Sequence, residues 1–513
     1  MTYSRFIPHL LTSGGDRRII VPRAGNTNTY GASPFPRSTL GYAASTANDI
    51  SFDAFRHLET TVSGWTPGRL QGAGEYADLL EQMRARLRRA WDLAADTAIV
   101  FAASGTDLEY VALSLAEARH GLGVTNILLG RDEVGSGCIL SAAGRFFAGQ
   151  SPLCAQTAKG EFVPGLEGTI LADVDLRDRK GAPRSSLEIA GDLDRRAREA
   201  STRGRHPIIH VVHGSKTGLV VPVMTDLANL RAAHGENLTV VVDACQARIE
   251  GDDIRRYLAL DCIVMVTGSK FMGGPPFSGM ALVPSSYRPR RQLAEGLAMI
   301  FRRAEWPAGW PSCRNLPESA NPGLLLRLEA ALFELTRFLR VERAARDRVI
   351  RHFNMAIEGL ADRLRAGIVD PFRAGDALHD GTLATLDLSQ LPGRPDFNVA
   401  QRWHRVLAAR GLRLGQPVKC MPGEDGRWAA TLRISLSMPL ISTLAGFGPT
   451  ELSDKFGNDF ARIADVLEAA QRPVAARPGR PAVFRSACGT IRTGFSVPGV
   501  PGSDDGSLTM HPA

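Results

Sequence analysis

The sequence predicts an α/β protein with a mainly parallel central sheet and a smaller C-terminal α/β domain. Two observations lead there. Short apolar runs of strand length alternate with segments whose apolar residues recur every three or four positions, which is the pattern of βαβ units. The polar residues of most chemical interest follow directly after those runs, and ligands of parallel sheets bind beyond the carboxyl ends of the strands.

Taken in order, residues 1–60 read as an irregular N-terminal arm. Its segment Gly25-Asn26-Thr27-Asn28-Thr29-Tyr30-Gly31 is dense in turn formers. Residues 61–315 read as the large domain. A helix is predicted from Gln71 to Trp91, where Leu79, Leu80, Met83, Leu87 and Trp91 recur at helical spacing. Strand Ala98–Phe101 follows, then Ser104-Gly105-Thr106-Asp107 as a loop and helix start. The helix carries Tyr110, Leu113, Leu115 and Ala118. Strand Asn126–Leu129, a loop and another helix come next. Strands Ile208–Val212 and Leu238–Val242 follow, then a helix over 249–258 and a strand over 262–267. Residues 316–472 read as the small domain, opened by one long helical stretch over 322–366. Residues 473–513, rich in Pro, Gly, Arg and Ser, read as an irregular tail.

The bulk numbers limit the function classes. At 513 residues the chain exceeds one ordinary domain, and its 44% hydrophobic and 22% charged content suits a globular protein with a large core. The net charge of +8 is spread along the chain and mixed with acids, as in Arg84-Ala85-Arg86-Leu87-Arg88-Arg89. That distribution reads as solvated helix faces rather than a nucleic-acid surface. The seven cysteines form no Cys-x-x-Cys pair, which fits reduced thiols better than disulfides or zinc. The N-terminus lacks a basic-then-apolar leader, and no apolar run is long enough to span a bilayer. The expectation is a cytoplasmic protein with a small-molecule substrate and neither nucleic acid, membrane nor metal as partner.

Lysine is scarce: only Lys159, Lys180, Lys216, Lys270, Lys419 and Lys455 occur among sixty-one basic residues. Lys270 stands in Thr267-Gly268-Ser269-Lys270, directly after the apolar run Cys262–Val266. Asp243 ends the neighbouring run Val240-Val241-Val242. An acid at one strand end and a lysine at the next suit a bound pyridine aldehyde. The acid would keep the ring nitrogen protonated, and the lysine would hold the aldehyde carbon as a Schiff base and then act as a general base. Ser104-Gly105-Thr106, at a helix start, is a candidate phosphate cradle. Thr267 and Ser269 add hydroxyls for the same phosphate. Gln246, one turn after Asp243, is placed to donate to a phenolic oxygen of the ring.

Asp243-Ala244-Cys245-Gln246, and Thr267-Gly268-Ser269-Lys270 followed by Gly273-Gly274-Pro275-Pro276, resemble motifs of fold-type I pyridoxal-phosphate-dependent enzymes. The branch resembled is that of the class V aminotransferases and cysteine desulfurases, over roughly residues 65–470. The resemblance implies pyridoxal 5'-phosphate as cofactor, an amino-acid-like substrate and a homodimer. It implies that Arg433, in Leu432-Arg433-Ile434-Ser435, grips a substrate carboxylate and that Ser215 lies near the ring. Asn28 becomes a substrate-binding candidate if the arm folds over the site. One departure is plain. Where the branch stacks a histidine on the ring, this chain has Arg131-Asp132-Glu133-Val134-Gly135-Ser136-Gly137, leaving an aliphatic residue such as Val134, or a carboxylate, to cover it.

The leading expectation is an aminotransferase. A lyase of the desulfurase, elimination or decarboxylation type stands beside it, with a role in specialised biosynthesis. Cys420, thirteen residues before Arg433, is the persulfide-forming candidate, a role that needs an exposed thiolate. A ligand-sensing regulator on the same fold is a further reading, for which the chain offers no helix-turn-helix module.

Overall fold

A computed structural model describes residues 6–22, 25–63, 72–133, 137–369, 381–423 and 426–471. Met1–Gln471 form one compact unit, and the expected irregular tail, residues 473–513, lies outside the described residues.

The strands, in chain order, are β1 (Leu40–Tyr42), β2 (Ala98–Ala102), β3 (Val124–Leu129), β4 (Ile170–Val174), β5 (His206–His213), β6 (Val220–Val221), β7 (Thr239–Ala244), β8 (Cys262–Thr267), β9 (Gly279–Val283), β10 (Gly367–Val369), β11 (Leu383–Asp387), β12 (Leu412–Leu414) and β13 (Thr431–Ser435). The main sheet has the order β2-β9-β8-β7-β5-β3-β4, with β6 paired to β5. Neighbours from β8 through β4 run parallel, while β9 is antiparallel to both β8 and β2. The expected mainly parallel sheet is therefore present. Two reversals at β9 leave β2 pointing the same way as β8, so β2, β3, β5, β7 and β8 all end at one edge.

The central strands are buried almost throughout because both faces are covered. Alternate residues feed two different cores. Ile99, Ile209, Val240, Val242 and Val264 join one core, and Val100, Ile208, Val241, Ile263 and Met265 join the other. Helix α3 (Ala73–Trp91) packs in the first core and α4 (Leu108–His120) in the second.

The C-terminal segment carries its own antiparallel sheet, β10-β11-β13. The single long helix expected over 322–366 is two helices, Pro322–Leu339 and Arg343–Leu364. Glu342, the N-cap of the second, leaves the helical conformation with ψ 140°. The helix Pro322–Leu339 is buried over most of its surface and joins two cores, whereas Arg343–Leu364 packs against the helix Pro449–Gln471. Different partners require different axes, which the apolar period of the sequence does not reveal.

The arm also departs from the irregular expectation. Ile7–Leu11 and Phe52–Ser63 are helices, and Leu40–Tyr42 pairs in parallel with β12. Ile7, Leu11, Ile50, Ala54, Leu58 and Val62 form a separate core with Leu326 and Ala330. The arm is thus anchored by burial rather than by local propensity. Among the described residues no helix is long and apolar enough to cross a membrane.

Helix Pro322–Leu339 presses directly on the turn after β8. A Cβ on Gly268 would lie 2.4 Å from the Ala331 Cβ and 2.7 Å from the Ser278 Oγ. Gly268→Ala is therefore expected to cost about 1–3 kcal/mol by overpacking, read as a lower midpoint in urea unfolding. An unchanged midpoint would show that the helix and the turn are not held in this contact.

Candidate active site

The shared strand edge brings residues far apart in sequence together. Ser104-Gly105-Thr106 links β2 to α4. Gly105 lies so close to the end of β8 that a Cβ there would meet the Thr267 methyl at 2.7 Å and the Cys245 Sγ at 3.5 Å. The backbone of this turn therefore sits directly against Thr267 and Cys245, and no larger residue fits. The four hydroxyls expected at a phosphate differ in their surroundings. Ser104 donates to the Asp107 Oδ2 at 2.6 Å, and Thr267 donates to the Cys245 carbonyl at 2.7 Å, so both help to hold the loops. Thr106 lies beside Gly137, and Ser269 is buried next to Lys270. The physical cause is that a buried hydroxyl takes the nearest protein partner available.

Asp243 ends β7 opposite Met265 of β8 and Val212 of β5. Its Oδ1 accepts the Cys245 N–H at 2.9 Å, which fixes the carboxylate at the strand end. Behind it lie two further titratable groups, Glu109 of α4 and His210 of β5. Their Oε2 and Nε2 are 3.4 Å apart and both side chains are buried. Burial first, then the Asp243 charge, pushes Glu109 well above the usual carboxylate range. Burial pushes His210 down to about 4, against the opposing pull of Asp243. In both cases burial favours the neutral form of the side chain.

Lys270 is half-buried at the turn after β8. Its carbonyl accepts the Asn48 amide and the Gly273 N–H, each at 2.9 Å, tying the turn to the arm. Its charge reaches Cys138, Cys245 and Lys216, and Asp243 acts on the same two thiols. The expected acid and lysine therefore share one neighbourhood. Gln246 is buried beside them. Its backbone carbonyl accepts the Phe271 N–H at 3.2 Å, and its Oε1 accepts from Arg248 Nη1 at 3.2 Å.

Arg433 reaches the same region from β13. It is 7% exposed, and its Nε donates to the Gln416 carbonyl at 2.9 Å and its Nη1 to the Lys216 carbonyl at 3.3 Å. No carboxylate lies within 4 Å of it among the described residues, and burial lowers its pKa to about 10. Lys216 is lowered to about 8, by burial first and then by the charges of Arg433 and Lys270. The site is thus rich in cations on the Arg433 side and suits an anionic group there.

Several expected residues have other tasks. The Ser215 hydroxyl donates to Glu133 and accepts from the Thr217 and Leu219 N–H groups, so it braces the β5–β6 turn. Glu133 is also paired with Arg177 and accepts from Thr217. Asn28 spends its Oδ1 on the Tyr30 and Ala32 N–H groups, shaping the arm's turn. Val134 lies outside the described residues. Cys420 is buried, and burial pushes its thiol up to about 12. It is therefore a protonated thiol rather than the exposed thiolate that a persulfide role needs.

Other residues enter the site without having been expected. Glu109 and His210 are buried within reach of the Asp243 charge, and Arg248 is hydrogen-bonded to Gln246. Arg18 comes from the arm, its guanidinium between the Phe147 and Phe277 rings at 4.6 and 4.9 Å. Its Nη1 is 3.7 Å from a point, the Cβ position of Gly137, that lies 3.5 Å from the Thr106 hydroxyl. The one sequence signal for Arg248 was its place two residues after Gln246.

The parallel sheet, the strand-end residues and the C-terminal sheet define a fold-type I chain. Solved structures share that fold. A NifS-like protein matches at 15% identity over 84% of this chain and 100% of its own length, with a TM-score of 0.53. A NifS-like protein from Rickettsia africae ESF-5 matches at 12% identity over 83% and 99%, with a TM-score of 0.53. The cysteine desulfurase CsdA from Escherichia coli matches at 16% identity over 83% and 94%, with a TM-score of 0.51. No family model matches the chain, and no curated protein matches it in sequence.

Asp107 generates a pH prediction. Burial raises its carboxyl from 3.8 to about 7, against the hydrogen bond from Ser104. Between those values the unfolded chain has released a proton that the folded chain retains, so stability falls as pH rises through this window. Asp107→Asn removes this contribution. Urea unfolding from pH 4 to 8 is expected to show a shallower decline in the variant, and parallel curves would contradict the assignment.

Proposed function

We propose that this protein is a pyridoxal-5'-phosphate-dependent enzyme acting on an amino acid or related amine, and specifically an aminotransferase. The observation that carries the proposal is the placement of Lys270 and Asp243 at neighbouring strand ends of the main sheet, with Arg433 reaching the adjoining Lys216 loop from β13 of the C-terminal sheet. The cysteine desulfurase named above, on the same fold, supports amino-acid chemistry as the class.

The residues present fit the cofactor. Gly105 leaves room for a close backbone approach at a helix start, as a phosphate requires. Asp243 offers a fixed carboxylate for a ring nitrogen, and Lys270 offers an amine for an aldehyde. When bound, the cofactor supplies a carbonyl that captures amines and a ring that accepts electron density from the substrate's Cα.

The chain's own residues supply the rest. Arg433 binds and orients the substrate carboxylate, which decides the Cα bond to be weakened. Lys270 Nζ takes a proton from Cα and returns it elsewhere, as a general base and then an acid. Asp243, with Glu109 and His210 buried behind it, would hold the ring nitrogen. The buried Cys420 thiol favours proton movement over sulfur transfer. The reading includes a homodimer, to be checked by light scattering.

Protein mixed with pyridoxal phosphate is expected to gain a borohydride-sensitive visible band that is absent in Lys270→Ala; a band that survives there would sink the lysine's role. With an amino-acid panel and a keto-acid acceptor, mass analysis shows amino-group exchange. Arg433→Met weakens kcat/KM for carboxylate-bearing amines by roughly a hundredfold, whereas Cys420→Ser leaves it within about twofold.

A further inference from the structure

Arg248 is an expensive residue for a structural role. It is 1% exposed, and no carboxylate lies within 4 Å of it among the described residues. Its Nε donates to the Thr382 Oγ1 at 3.1 Å, its Nη1 to the Gln246 Oε1 at 3.2 Å, and its Cζ lies 5.1 Å from the Phe271 ring centroid. Its Nη2 is buried with no hydrogen-bond partner among the described residues. A buried cation left partly unsatisfied costs several kcal/mol in general, and an apolar side chain against Phe271 would avoid that cost. Burial lowers the guanidinium to about 9, with Arg433 adding to the effect, so it remains charged at neutral pH.

The hydrogen bond to Gln246 has a directional consequence. A guanidinium has donors and no acceptor, so only the amide oxygen of Gln246 can face it. The two polar atoms of an amide lie on opposite sides of its carbon. Once Oε1 is held by Arg248, the Nε2 donors are directed away from the arginine. The backbone of Gln246 is held as well, through the bond from the N–H of Phe271, the residue after Lys270.

We infer that Arg248 is a positioning residue that locks the Gln246 amide so that its N–H groups face the cofactor site as donors to an anionic ring oxygen. The inference rests on the proposed cofactor. A donor held in one orientation favours the deprotonated oxygen, and the arginine's own charge acts in the same direction. An amide free to rotate presents its oxygen for part of the time, which repels that anion. Arg248 thereby couples the small-domain residue Thr382 to the ring through a single side chain.

The test is a pH titration of the visible band of cofactor-loaded protein, together with the dissociation constant for pyridoxal phosphate. In Arg248→Met the apparent pKa is expected to rise by about one unit and cofactor binding to weaken roughly tenfold. Arg248→Lys keeps a charged donor and is expected to recover most of the wild-type titration. If Arg248→Met does not fold, Arg248→Gln takes its place, and in a Gln246→Leu background removal of the arginine should cause a clearly smaller shift than with Gln246 present. A shift of equal size in that background would show that the arginine acts by charge alone and would overturn the inference. A wild-type band whose titration is the same in Arg248→Met overturns it too. Absence of any band in the wild-type protein instead brings down the proposed cofactor.

Discussion

The turn that carries Lys270 is clamped from two sides, and the position of every other group at the site is set relative to it. On one side, the Gly268 N–H donates to the Ser278 carbonyl and the Gly274 N–H donates to the Gly268 carbonyl, closing the turn on itself. On the other, Ala331 of a buried helix fills the space where a side chain at Gly268 or Gly274 would stand. The turn cannot drift toward solvent without parting from that helix. The Met438 N–H donates to the Phe271 carbonyl, so the C-terminal segment is fastened to the same turn. A lysine that must present its nitrogen to a ligand needs such a rigid base, because precision at a site comes from locked backbone and packed neighbours.

Electrostatics around that base are asymmetric. Among the acids, burial pushes Glu109 toward its neutral form, and Glu133 is paired with Arg177. The cations Arg433 and Arg248 have no carboxylate partner within ion-pair distance among the described residues. Burial lowers the proton affinity of both but leaves them charged. An arrangement with unpaired buried cations and acids paired or pushed toward neutrality stores electrostatic energy that an anionic ligand releases. Asp243 is the counterweight at the strand edge, where the proposed function places a cationic ring nitrogen.

Much of this was legible along the chain. The strand-helix alternation from residue 98 to 267 was readable because both faces of a parallel sheet are covered, which forces continuous apolar runs. Asp243 and Lys270 stood out because each follows such a run, and Arg433 because it sits within one. The hydroxyls were harder. Ser104 and Thr267 have the right chemistry for a phosphate, yet each donates to a protein partner, and a partner's position is a property of packing. Glu109 and His210 read as ordinary helix and strand residues, since nothing local marks a group whose neighbours come from other elements. The arm was misread for the same reason: its turn-rich sequence concealed a small core that exists only with Leu326 and Ala330 beside it.

The sequence by itself determined the layered α/β architecture and the kinds of group available at the strand ends, because hydrophobic period and strand-end position are local properties written at fixed spacing. The tertiary structure alone decided which groups stay charged, which hydroxyls are occupied, that Cys420 is sealed away, and that Arg248 faces the Gln246 amide. Those outcomes depend on desolvation and on hydrogen-bond geometry between segments far apart in the chain, and both arise only when the segments pack.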